Sequence, residues 1–88
     1  MTIEVHLFAT LVRYLPPGND GARAILDVPD GSTVHDVARL LGIPDTLARL
    51  ALVNGREADP GERLTATDVL TLFPPLAGGA TPRPRAGR

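Results

Sequence analysis

The chain has 88 residues, 43% of them hydrophobic and 22% charged, with a formal net charge of −1. That composition suits one small globular domain and is too rich in apolar residues for a disordered segment. The absence of cysteine excludes a disulfide framework, a thiolate-ligated metal site and a thiol nucleophile.

In chain order, Ile3, Val5 and Leu7 alternate with Thr2, Glu4 and His6, a period of two that predicts a half-buried strand. Thr10 is placed to cap a short helical turn that carries Leu11 and Leu15 inward and ends at Pro16-Pro17-Gly18. Asn19-Asp20-Gly21 continues an exposed loop, and Ala24 to Val28 reads as a second strand stopped by Pro29-Asp30-Gly31. Thr33 with Asp36 three residues on forms a capping-box pattern, with Asp in place of the commoner Glu. Val34, Val37, Ala38, Leu40 and Leu41 then predict an amphipathic helix of about ten residues with its apolar side inward, and Gly42 fits the position just past its end.

Pro44 to Arg49 suits another short turn, and Leu50 to Val53 is strand-like. Asn54-Gly55 is a tight-turn dipeptide that leads back along a short strand around Arg56 to Ala58. After Asp59-Pro60-Gly61 the chain reaches Val69 to Phe73, its most β-prone run, which Pro74-Pro75 ends because neither has an N–H to donate. Residues 77–88 lack apolar periodicity and read as an extended, mobile tail. The expected fold class is α+β: a mixed sheet of four to five strands packed against one main helix. This order suits a β-grasp whose first and last strands pair in parallel at the centre, although pattern alone leaves the strand order open.

Charge and motifs narrow the function. Residues 80–88 hold Arg83, Arg85 and Arg88 and no acid, leaving residues 1–79 at −4, a poor match to a phosphate backbone. All nine basic residues are Arg, so there is no Schiff-base lysine. His6 and His35 are too far apart for a recognisable metal spacing and read as surface residues, and the ten acids show no close catalytic pair. No run approaches the roughly 20 apolar residues of a membrane helix, and the first residues lack signal-peptide order, so no membrane role and a cytoplasmic location are expected.

The informative segment is Phe73-Pro74-Pro75-Leu76-Ala77-Gly78-Gly79. It resembles the end of the MoaD/ThiS-type ubiquitin-like sulfur carriers, above all the small subunit of molybdopterin synthase. Phe8-Ala9 followed by Arg13, and Val53-Asn54 before a turn, extend the resemblance over residues 1–79. It implies a carrier rather than an enzyme that works alone, with no cofactor of its own. A ubiquitin-activating-like adenylating enzyme (MoeB/ThiF type) would use ATP to activate the Gly79 carboxylate, sulfur would replace AMP, and the thiocarboxylate would enter a large synthase subunit (MoaE type). Thiamine, cysteine or a specialised metabolite are alternative destinations for the sulfur.

The residues suit that role. Gly78 and Gly79 lack side chains and can thread a narrow channel. Pro74 and Pro75 stiffen the base of the arm. Phe8, Phe73, Leu76 and Ala77 offer apolar partner contacts, with Phe8 also read as a partly buried core ring. Against the family pattern, nine residues from Ala80 to Arg88 follow Gly79, which therefore carries a peptide bond. Three readings stay open: a dedicated protease removes them, the domain keeps docking without sulfur transfer, or the extension is a gene-boundary artefact.

Overall fold

A computed structural model describes residues 1–47 and 49–75. Alternation in the chain becomes alternation in space. In β1 (Thr2–Leu7), Ile3, Val5 and Leu7 are buried while Thr2, Glu4 and His6 face the other way. In β5 (Val69–Phe73), Leu70 and Leu72 are buried and Val69, Thr71 and Phe73 are half-buried. Between them lie β2 (Arg23–Asp27), helix α1 (Val34–Leu40), β3 (Leu50–Val53) and the two-residue β4 (Arg56–Glu57).

The five strands form one sheet in the order β2-β1-β5-β3-β4. β1 and β5 pair in parallel, from Glu4↔Val69 to Leu7↔Leu72. β5 also pairs antiparallel with β3, from Leu50↔Phe73 to Val53↔Leu70, so the last strand lies at the centre. This is the expected β-grasp, and the structure supplies the strand order that the sequence pattern left open.

Helix α1 is fixed at both ends by its own sequence. Thr33 N–H donates to Asp36 Oδ2 at 3.0 Å, and Asp36 N–H donates to Thr33 Oγ1 at 3.1 Å, completing the capping box. That backbone donor, with the Thr33 side chain, holds the Asp36 carboxyl below the usual carboxylate range. At the other end Gly42 takes a φ of 86°, Gly42 N–H donates to Arg39 O and Ile43 N–H to Ala38 O, each at 3.0 Å. These bonds make a Schellman stop, and Ile43 is buried beneath it. The helix is shorter than expected, and its buried stripe is Val34, Val37 and Ala38. Leu40 was expected on that stripe but is 56% exposed: although it follows Val37 by three, at about 100° per residue it lies roughly 110° round the helix from the centre of the stripe formed by Val34, Val37, Ala38 and Leu41.

A second correction concerns Thr10. The 3-10 helix Ala9–Tyr14 begins two residues earlier than a Thr10 cap requires, the extended Phe8 stands in the cap position, and no side chain caps it. Ala9 instead makes the turn with a φ of 55°, and Leu11 is buried as expected. Asn54 and Gly55 take φ values of 53° and 83°, the left-handed pair that a two-residue hairpin turn requires. The Asn54 side chain also clasps the start of β5: its Oδ1 accepts from Val69 N–H at 2.9 Å and its Nδ2 donates to Asp68 Oδ1 at 3.0 Å.

Candidate functional site

The site is assembled where the central strand ends. Pro74 and Pro75 close β5 after Phe73, so the arm leaves from the middle of the sheet rather than from an edge. Phe8 N–H donates to Leu72 O at 3.2 Å, which carries the β1–β5 register one step further and sets Phe8 beside Phe73. On the other flank Phe73 pairs with Leu50. Phe8, Phe73 and Leu50 therefore form a three-strand apolar row on the sheet face away from α1, at the base of the arm.

Exposure separates this row from the core. Phe8 is 46% and Leu50 43% exposed, and Phe73 is half-buried. The expectation that the Phe8 ring is partly buried in the core is corrected. The strand parity that buries Leu7 turns Phe8 outward, and the positive φ at Ala9 carries the following chain away from the ring. Leu50 was read only as a strand residue. Its place in the row depends on pairing with a strand more than twenty residues away, for which no local signal exists.

One flank of the row is charged. Arg23 Nε lies 3.0 Å from Asp20 Oδ2, Arg23 Nη1 lies 3.7 Å from Glu4 Oε2, and His6 Nε2 contacts the same Glu4 carboxylate. The backbone N–H groups of Arg23 and Ala22, then the Arg23 side chain, hold the Asp20 carboxyl below its usual range. His6 is thus tied to a carboxylate on the outer face, and His35 lies 3.7 Å from Asp45 on the helix side. No cluster of three metal-ligating side chains occurs among the described residues. An apolar row beside an ion-paired flank offers a surface to dock a partner, and the described residues assemble no nucleophile with a base. Of the expected site residues, Phe8, Phe73, Pro74 and Pro75 come together; Leu76, Ala77, Gly78 and Gly79 lie outside the described residues.

Residues 1–78 match the family model described as Mut7-C ubiquitin. The chain belongs to this family. No curated protein matches it in sequence. Solved structures place the family member among ubiquitin-like relatives. SAMP1 from Haloferax volcanii is 30% identical over 90% of this chain and 100% of that one, with a TM-score of 0.68. The HVO 2177 protein of the same organism is 31% identical over 90% of this chain and 87% of that one, with a TM-score of 0.71. The complex of subunits 1 and 2 of the molybdopterin-converting factor from Helicobacter pylori 26695 contributes a chain 19% identical over 90% of this chain and 100% of that one, with a TM-score of 0.57. At that identity the likeness is one of fold. Among the described residues, no helix is long and apolar enough to cross a membrane.

Proposed function

We propose that this domain is a sulfur carrier whose working atom is the carboxyl carbon of Gly79, freed by removal of residues 80–88. The observation that carries the reading is the Phe73-Pro74-Pro75 arm base, which leaves the central strand beside the Phe8–Phe73–Leu50 row. A partner seated on that row is positioned to receive whatever the arm delivers. The likeness to subunit 1 of a molybdopterin-converting factor, solved in complex with subunit 2, supports a large synthase subunit as that partner.

The chemistry starts from a free carboxylate, which attacks the α-phosphate of ATP on the activating enzyme and releases pyrophosphate. Hydrosulfide-level sulfur then adds to the acyl adenylate, AMP leaves, and a thiocarboxylate remains. The carrier's own residues dock and reach; they do not activate. A flexible diglycine suits that task because it enters a channel that side chains would block. Molybdopterin synthesis is the destination favoured by Phe73-Pro74-Pro75, ahead of thiamine, cysteine or a specialised metabolite.

Protein ending at Gly79, given activating enzyme, ATP and a sulfide donor, is expected to gain the mass of one oxygen replaced by sulfur. An unchanged mass removes the carrier reading. A second reading, an interaction module with an uncleaved tail, is motivated by the nine residues from Ala80 to Arg88 that leave Gly79 in peptide linkage. Mass spectrometry of the protein from its native host separates the two: a C-terminus at Gly79 supports the carrier, and retention of residues 80–88 supports the module. Gly79 joined to lysines of other proteins would instead identify a modifier, the role carried in the name of small archaeal modifier protein 1.

A further inference from the structure

On the helix side, a cleft of about 430 Å³ opens between the start of α1, the loop before β3, and the segment after β4. Its apolar lining includes Val34, Leu47, Ala51, Ala58 and Pro60. Three exposed acids, Asp45, Glu57 and Asp59, also line it. The lining thus holds three carboxylates against one guanidinium, that of Arg49, whose Nη1 donates to the carbonyls of Pro44 and Leu47 at 3.4 and 3.1 Å; His35 Nε2 lies 3.7 Å from Asp45 Oδ1. Glu57 and Asp59 have no cationic partner within 4 Å among the described residues.

The cleft also lies beside the point where the arm departs. Leu50 and Leu72 line it, Leu50 pairs with Phe73, and Pro74 follows directly. We propose that this cleft seats the chain's own segment Ala80–Arg88 in the unprocessed protein, its arginines on Asp45, Glu57 and Asp59 and its prolines on the apolar floor. That segment has Arg83, Arg85 and Arg88, no acid, and prolines at 82 and 84. Its charge is thus opposite to that of the rim, and its two prolines, with φ already fixed, lower the cost of ordering it. Arg83 is eight Cα steps beyond Pro75, a reach of up to roughly 27 Å when extended, so Gly78-Gly79 can reverse the chain and still leave slack. Resting on the reading that Gly79 is the working end, the docked segment is a tether: it holds the diglycine at the mouth of the cleft, away from a partner's active site, until it is cut.

The natural absence of cysteine makes the test direct, because Ala86→Cys introduces a single thiol for a nitroxide label in the full chain. The expected result is selective loss of amide signal at His35, Leu47, Glu57 and Asp59, with Ile25 and His6 on the opposite face unaffected. That loss should disappear with Glu57→Gln/Asp59→Asn, with Arg83→Ala/Arg85→Ala (a change confined to the tail), and in about 1 M salt, where the screening length falls to about 3 Å. Uniform signal loss, loss centred on Phe8 and Phe73, or loss that survives all three changes would overturn the proposal. Mixing labelled chains with isotopically distinct unlabelled ones tests a second copy as the occupant, and signal loss across that mixture also overturns it. The result is independent of the mass-shift assay, so the tether and the carrier chemistry fail separately.

Discussion

The two faces of the sheet share the same strands and answer to different partners. On the inner face Ile3, Val5, Leu7, Leu70 and Leu72 are all at most 1% exposed beneath α1 and its flanking loops. On the outer face, residues one step along the same strands make the Phe8–Phe73–Leu50 row and the Glu4–His6–Arg23 flank. Close packing removes the inner residues from water, whereas the outer row keeps apolar surface exposed, Phe8 at 46% and Leu50 at 43%. The lesson is that in a domain this small, folding and docking are separated by a shift of one residue along a strand.

The sharpest way to break that contrast is to truncate one side chain on each face. Leu72→Ala leaves a cavity in the inner face and should cost about 2–5 kcal/mol, read by urea unfolding. Phe73→Ala, next to it in sequence, should cost far less stability and instead weaken binding of the proposed partner, a large synthase subunit or an activating enzyme, about tenfold or more by calorimetry. Equal losses of stability would erase the distinction between the faces. Phe8→Ala should follow Phe73→Ala, because its ring is exposed in the same row.

The helix that covers the inner face offers a milder probe. Thr33→Ala removes the cap and should cost about 1 kcal/mol without affecting partner binding. The acid dependence has a definite sign. Asp36 is held low by Thr33, and Asp68 chiefly by the backbone N–H of Thr65, then by the Asn54 and Thr65 side chains. Both carboxyls are thus depressed on folding, so their contribution is present above the unfolded carboxylate value of about 4 and fades as pH falls through the folded values. Melting temperature measured against pH should therefore fall on the acid side, and fall less in Asp68→Ala than in the parent chain. The smallest effect should come from Thr67, a β-branched residue held at a φ of 68°. Thr67→Gly relieves that strain against some added chain entropy, for a net gain of about 0.5 kcal/mol in thermal unfolding.

Much of the fold is legible in the sequence because its signals are local. Alternation marks β1, the Thr33–Asp36 pair starts α1, Gly42 ends it, and Asn54-Gly55 turns the hairpin. The errors come from geometry that is not local. Thr10 is a good cap by type, yet the turn starts at Ala9, whose positive φ has no sequence marker because glycine normally takes that role. Leu40 is apolar but lies off the buried stripe of a helix only seven residues long. Phe8 and Phe73 could be named from sequence, whereas Leu50 joins them only through the β3–β5 register. The cleft was invisible for the same reason: its lining comes from four separate stretches between Val34 and Leu72.

The position of β5 bears on how the molecule is made. It follows every other strand in chain order, yet it alone joins the β2–β1 pair to the β3–β4 pair. On the ribosome the two hairpins must wait unjoined, their inner faces open to water, until Phe73 has emerged. Contacts so distant in the chain close slowly and expose sticky intermediates meanwhile. A nascent chain that stalls before Val69 would therefore be a client for chaperones or proteases, and no docking-competent fragment would escape into the cell.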